Sequence, residues 1–258
     1  MIIYKDYDTT NLLFNEPCDI DDLGVIYPIS VGDYKKLQKY IQYLIFSEKH
    51  LNLTKEAKLL NGIIVMIAGS KCKDANNLIE LNEKIFIVLE EIAQLFSLLT
   101  KKNIIYIADK DGYIFKDNEE TVNINNCNFD ILRKIVLKMC LIKEPKIFKD
   151  KITQKWYEKA LIAKRSKSPD IQFEDILITV SQDMKMSYEE IKNLNIFQLY
   201  SYYYRINHVE NYKAITIFRT CSSKLPNINY SDGILQTLYK EETLDDLTIS
   251  ADSLGKML

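Results

Sequence analysis

The strongest periodic signal in the chain lies between Asp74 and Lys102, where Leu78, Leu81, Ile85, Val88, Ile92, Leu95 and Leu99 recur three and four residues apart. That spacing places all seven side chains on one side of a helix. Phe86, Leu89, Ala93 and Phe96 widen the stripe, which predicts the inner face of a helix packed into a domain rather than a two-stranded coiled coil. Upstream, Ser30 followed by Asp33 makes a capping pattern, and Leu37, Tyr40, Ile41, Leu44 and Ile45 predict a helix running to about His50. Thr54 is a cap for a second helix carrying Ala57, Leu60, Ile64 and Ile67, with Gly69 as its stop. The first 25 residues show no helical period and read as an extended arm, with one strand at Ile2 to Tyr4.

The pattern changes after residue 103. Ile104 to Ile107 and Tyr113 to Phe115 flank Asp109-Lys110-Asp111-Gly112, a hairpin signature with Gly where a positive φ is wanted, and Thr121 to Ile124 offers a third strand. A helix from Asn128 or Phe129 through Ile142, with Leu132, Ile135, Val136 and Met139 on one face, must stop before Pro145. Glu144-Pro145-Lys146 and Ser166-Lys167-Ser168-Pro169-Asp170 are the clearest breaks, and they bracket a short Lys-rich helix containing Trp156, Leu161 and Ile162. Beyond them come a helix from Phe173 to Met184, a capping box at Ser187 to Glu190, and a long helix from Ile196 to Arg219. After Pro226 the pattern loosens, and Thr237 to Leu258 mixes acidic and apolar residues as a held tail or docking helix would. The reading is a mainly α (α+β) fold, a helical bundle with a small antiparallel hairpin or sheet around residues 104–124. Three regions follow: 1–144, helical with the hairpin; 145–170, the Lys-rich helix and linker; and 171–258, helical with the acidic tail.

Composition narrows the function classes. With 47% hydrophobic and 27% charged residues, the chain has the balance of a folded protein. A formal charge of −2 provides no global positive field for nucleic acid or anionic lipid, and no apolar run reaches the roughly 20 residues of a membrane span. The five cysteines, Cys18, Cys72, Cys127, Cys140 and Cys221, stand at wide spacings without C-x-x-C, and the start of the chain does not read as a signal peptide. A reduced, cytoplasmic chain is the expectation.

Candidate chemistry changes little. Two histidines, His50 and His208, fall in different predicted segments, and no cluster stands at zinc spacing. Placing Gly112 sixth in a calcium loop puts Ile107 first and Asn118 twelfth, which fails at both ends. No phosphate-cradling Gly-rich loop occurs, so the reading is a protein without catalytic, metal or cofactor site. Lys151, Lys155, Lys159, Lys164, Arg165 and Lys167 near Trp156 and Tyr157 are the residue types that hold phosphates and stack bases, but Glu158 lies inside the turn and a solvated face is preferred.

The distinctive segment is the late helix, with Phe197, Tyr200, Tyr202, Tyr203, Tyr204 and Tyr212. Tyrosine brings a large amphipathic area with few rotors, and Tyr with Arg dominates interface hot spots. Phe197, Tyr200, Tyr204 and Val209 suit an inward face, which turns Tyr202 and Tyr203 elsewhere. The candidate partner-binding residues are therefore Tyr200, Tyr202, Tyr203, Arg205 and Tyr212.

Two stretches resemble a known group. Val25-Ile26-Tyr27-Pro28-Ile29-Ser30-Val31-Gly32-Asp33-Tyr34, followed by a helix ending Leu44-Ile45-Phe46-Ser47-Glu48-Lys49-His50-Leu51, resembles the opening of tail assembly proteins from phages and prophages of low-GC Gram-positive bacteria. Asn195 to Ile206 is similar to a late helix of the same group. The resemblance implies a tail assembly chaperone, a helical cytoplasmic protein that shields the apolar tape-measure protein, with that or another tail protein as partner. Self-association is compatible with it. A tail or baseplate structural subunit, found in the virion, and a nucleic-acid-binding regulator using residues 151–167 are the alternatives.

Overall fold

The computed structural model describes residues 2–3, 7–51, 58–73, 77–148, 150–167 and 171–220. The Thr54 cap, the second Pro break and the acidic tail lie outside them. The fold is mainly α, as the sequence pattern predicts, with two small three-stranded sheets, of which the pattern predicts only the one around residues 104–124. The chain divides into two compact units, one of Met1–Pro145 with Met186–Tyr200, the other of Lys146–Lys185 with Ser201–Leu258.

The first unit opens with folded structure where an extended arm was expected. Strand β1 (Ile2–Ile3) runs parallel to β2 (Cys18–Ile20), and β3 (Gly24–Ile26) pairs antiparallel with β2. Between β1 and β2 lies helix α1 (Thr9–Leu13), whose Asp8 cap accepts from the Thr10 and Asn11 amides at 2.7 and 3.2 Å while Asn11 accepts from the Asp8 amide. Elements of two to five residues are too short to carry a period, which is why the hydrophobic pattern passes over them. Leu12, Cys18, Ile20, Leu23 and Ile26 nonetheless all enter the core.

Ser30 acts as the predicted cap, accepting from the Asp33 amide at 3.1 Å and donating to the Asp33 carboxylate. It opens a 3-10 turn (Val31–Asp33) that leads into α2 (Tyr34–Tyr40). The single helix expected to reach His50 is instead interrupted at Ile41, continues as α3 (Gln42–Ile45) and stops at extended Phe46. The following turn is held by the His50 ring, whose Nδ1 accepts from the Ser47 amide at 3.1 Å, a local side-chain bond that competes with helix continuation.

Helix α4 (Leu59–Ser70) packs along α5 (Leu78–Thr100), which Asn77 caps. Leu60, Ile63, Ile64 and Ile67 of α4 and Val88, Leu89, Ile92, Leu95, Phe96 and Leu99 of α5 are buried. Then come β4 (Ile105–Asp109), β5 (Gly112–Lys116) and β6 (Asn123–Ile124), an antiparallel sheet in that order, and the hairpin is as expected. Gly112 has φ +122°, and a Cβ there would strike the Asn61 amide, so two constraints select glycine. Helix α6 (Phe129–Met139) ends three residues earlier than expected, with Leu141 in left-handed backbone. Phe96 stacks edge-on against Phe115 at 5.0 Å and lies 6.2 Å from Phe129, so α5, the sheet and α6 share one core.

The chain re-enters this unit through α9 (Tyr188–Asn193), with the Ser187–Glu190 capping box in place, after the second unit's α7 (Lys151–Lys167) and α8 (Phe173–Met184). Val31 donates to the Leu194 carbonyl and Ile196 to the Ile29 carbonyl, a short antiparallel bridge. Buried Asn195 then donates to the Leu12 carbonyl at 2.7 Å and to Asn15 Oδ1 at 3.0 Å, while its own oxygen caps α10 (Ile196–Arg219) through the Gln198 amide. In the second unit, Asp150 caps α7 through Thr153, and Phe148 packs against buried Tyr157 at 5.2 Å.

Candidate partner-binding surface

Helix α10 starts as a packed element. Ile196, Phe197 and Leu199 are buried in its first turn and Ile206 further on. Beyond Ile206 the thirteen residues from Asn207 to Arg219 include no buried side chain, although they carry Val209, Tyr212, Ile215, Ile217 and Phe218. This outer segment is about 20 Å of helix at 1.5 Å per residue. Isolated helices of such length are marginal in water, so its apolar side chains are positioned to gain from further packing.

The five candidate residues do not share one face. At about 100° per residue, Arg205 and Tyr212 lie within about 20° of each other, Tyr202 about 60° to one side, and Tyr203 roughly opposite Arg205. Tyr203 instead meets Tyr204 edge-on, with ring centroids 5.8 Å apart. Tyr200, Tyr202, Tyr203, Arg205 and Tyr212 are all half-buried. Tyr204, expected to face inward, is the most exposed tyrosine of the cluster. The Arg205–Tyr212 line therefore continues toward the unburied end, where Ile217 and Phe218 are exposed; the sequence reading left those two out because they fall after the aromatic run.

Polar groups inside the first unit are engaged in structural networks. Arg133 is 1% exposed; it donates to Asp130 Oδ1 through Nε at 3.1 Å and Nη2 at 2.9 Å, to the Leu44 carbonyl at 3.2 Å, and faces Glu144 at 3.4 Å. Burial pushes the Asp130 carboxyl up, but hydrogen bonds from Lys134 and Arg133 outweigh it and hold the group below its ordinary range. His50, near this cluster, is shifted below the usual imidazole value by burial and by the Arg133 charge, against the opposing pull of Glu144 and the Pro145 carbonyl. A single Arg inside a predicted apolar face gave no periodic signal, so pattern reading misses it.

A second network surrounds Asp117, which accepts from the Thr121 and Val122 amides at 2.8 and 2.9 Å and from Lys102 at 2.9 Å. Burial opposes its ionisation, yet these donors hold its carboxyl well below the usual range. Burial pushes the Cys18 thiol up to about 11 and that of Cys140 up to about 12, which keeps both protonated at neutral pH. Among the described residues no His, Cys, Asp and Glu group is arranged to hold a metal ion, and no helix is long and apolar enough to cross a membrane.

The packed stripe of α5 is also shorter than its sequence pattern. Val88 to Leu99 is buried, but Leu78 and Phe86, read as core positions, are exposed. Among the described residues α5 packs chiefly on α2, α4, β3 and β4, and its Phe96 meets Phe115 of β5 and Phe129 of α6.

Comparison with known proteins bears on the surface just described. Residues 164–231 match the family model of the YomV second domain. The candidate helix falls within that match. The chain is also similar to the SPbeta prophage-derived protein YomV of Bacillus subtilis (strain 168), at 33% identity over 136 residues, which is 52% of this chain. It spans 56% of that relative's length. No solved structure matches the chain.

Proposed function

We propose that the protein is a phage or prophage binding protein that shields an apolar, helical protein partner through the outer half of α10, in the manner of a tail assembly chaperone. The observation that carries this is the run from Asn207 to Arg219, a helix that leaves Ile217 and Phe218 exposed and Tyr212 half-buried. Its neighbour Arg205 adds a planar donor fork suited to an interface. Similarity to a prophage-derived protein supports the phage setting, and the resemblance of Val25–Tyr34 and Asn195–Ile206 to tail assembly proteins supports the finer reading. The partner of that reading is the tape-measure protein.

The test is co-expression with the long helical tail protein of the same phage. The protein is expected to co-purify with it and to be absent from finished particles. Arg205→Ala combined with Tyr212→Ala should remove co-purification while leaving the circular dichroism spectrum unchanged. Recovery of the protein in finished particles would overturn the chaperone reading in favour of a structural subunit.

A further inference from the structure

Among the described residues, α5 and α7 each carry strongly exposed apolar side chains beside charges of one sign. On α5, Ile79 and Phe86 are 75% and 59% exposed, and Glu83 and Glu90 stand beside them on the same face. With the members of each pair seven positions apart, all four fall within about 60° around the axis. On α7, Ile152 and Trp156 are 68% and 69% exposed, flanked by exposed Lys155 and Lys159. Lys159 lies 5.7 Å from the Trp156 ring, which keeps its charge at the edge of the apolar strip.

The two faces match in length and are opposite in charge. Ile79 to Glu90 and Lys151 to Ile162 each span eleven steps, about 16 Å of helix. Elsewhere the helices pair their surface charges locally, as in Lys36–Asp33, Lys134–Asp130, Lys192–Glu189 and Lys213–Glu210. Among the described residues, Glu83, Glu90 and Lys155 form no ion pair. Glu158, at the flank of the α7 face, accepts from Gln154 at 2.9 Å.

From this complementarity we infer that the occupant of each face is a second copy of the chain: the acidic, apolar face of α5 in one copy docks against the basic, apolar face of α7 in another. Two aliphatic groups and one indole do not make a stacking platform for bases, which takes successive aromatics, so a protein face fits better than a nucleic acid. The contact joins different patches of the two copies and is therefore heterologous. A single helix-on-helix contact of this length falls short of the roughly 800 Å² per partner of a standard interface, so association is weak and sensitive to salt.

The chain's one tryptophan makes the test direct. In the full-length protein, sedimentation velocity should show concentration-dependent association that weakens with added salt. Trp156 emission should shift to the blue over the same concentration range. Lys155→Glu with Lys159→Glu, and separately Glu83→Lys with Glu90→Lys, should each weaken association roughly tenfold or more, because each makes the two faces alike in charge. Mixing the two variants should restore both association and the blue shift, since each then meets a complementary partner; restoration also shows that both variants are folded. A full-length protein that stays monomeric up to about 0.5 mM overturns the proposal. So does association indifferent to both charge reversals, or folded variants that fail to associate when mixed. Arg205→Ala with Tyr212→Ala, which tests α10, should leave this association unchanged.

Discussion

Helices α5 and α10 are nearly the same length, 23 and 24 residues, yet they stand differently in the molecule. The second half of α5 buries Val88, Leu89, Ile92, Leu95, Phe96 and Leu99. The second half of α10 buries none of its side chains beyond Ile206. The distinction does not lie in hydrophobic content alone. On α5 the apolar positions return every three or four residues to one stripe, so α4, the second sheet and α6 can close over it. On α10 Tyr212, Ile215, Ile217 and Phe218 are spread around the axis rather than gathered on one stripe, and none of them is buried. A helix of the first kind stabilises its own domain, whereas one of the second kind suits an external partner.

The comparison is most easily broken by truncation in the core. Phe96→Ala, which removes a ring packed on Phe115 and Phe129, should cost about 3 to 5 kcal/mol in chemical denaturation. A cost below 1 kcal/mol would show that the α5 seam is not the core described. Arg133→Ala should follow closely at about 3 kcal/mol, because Asp130 and the Leu44 carbonyl lose their donor in a buried setting. Substituting Gly112 by Ala should cost about 2 kcal/mol, through the positive φ and the clash with Asn61.

Smaller effects sharpen the contrast. His50 is shifted below the ordinary imidazole value of 6.5, so the unfolded chain takes up the proton first. The stability contributed by neutral His50 is complete above that value and is lost as pH falls through it toward the lower folded value. His50→Gln should flatten the decline in a denaturation series between neutral and mildly acidic pH. At the opposite end, Phe218→Ala should change stability by no more than about 0.5 kcal/mol. A large loss on Phe218→Ala would place the α10 end in the core with α5.

Legibility followed element length. Helices at Phe173–Met184 and Ile196–Arg219 are read from sequence with the bounds the structure has, and the hairpin is read in place, although Asp109 and Gly112 pair in the ladder instead of lying in the turn; each offers several repeats of its period or a specific turn residue. The N-terminal β1-α1-β2-β3 segment is not read, because two- to five-residue elements offer less than one informative repeat. The stop at Phe46 stays hidden for another reason: His50 captures the Ser47 amide, and a local side-chain bond leaves no hydrophobic trace. At the candidate surface, sequence identifies the helix and its aromatic density. It does not reveal that Tyr203 and Arg205 project to opposite sides, nor that Phe86, spaced as a core residue, is exposed.

Asn195 joins the carbonyl of Leu12, 183 positions earlier in the chain, to the start of α10. On a ribosome working from the N-terminus, the Leu12 end of that bond is made early and waits for most of the protein to be synthesised. The first unit therefore cannot complete itself as its own residues emerge; it closes only after the second unit's α7 and α8 have been released ahead of Asn195. The Leu12 carbonyl thus gains this partner only late in synthesis, through a contact of very long sequence separation.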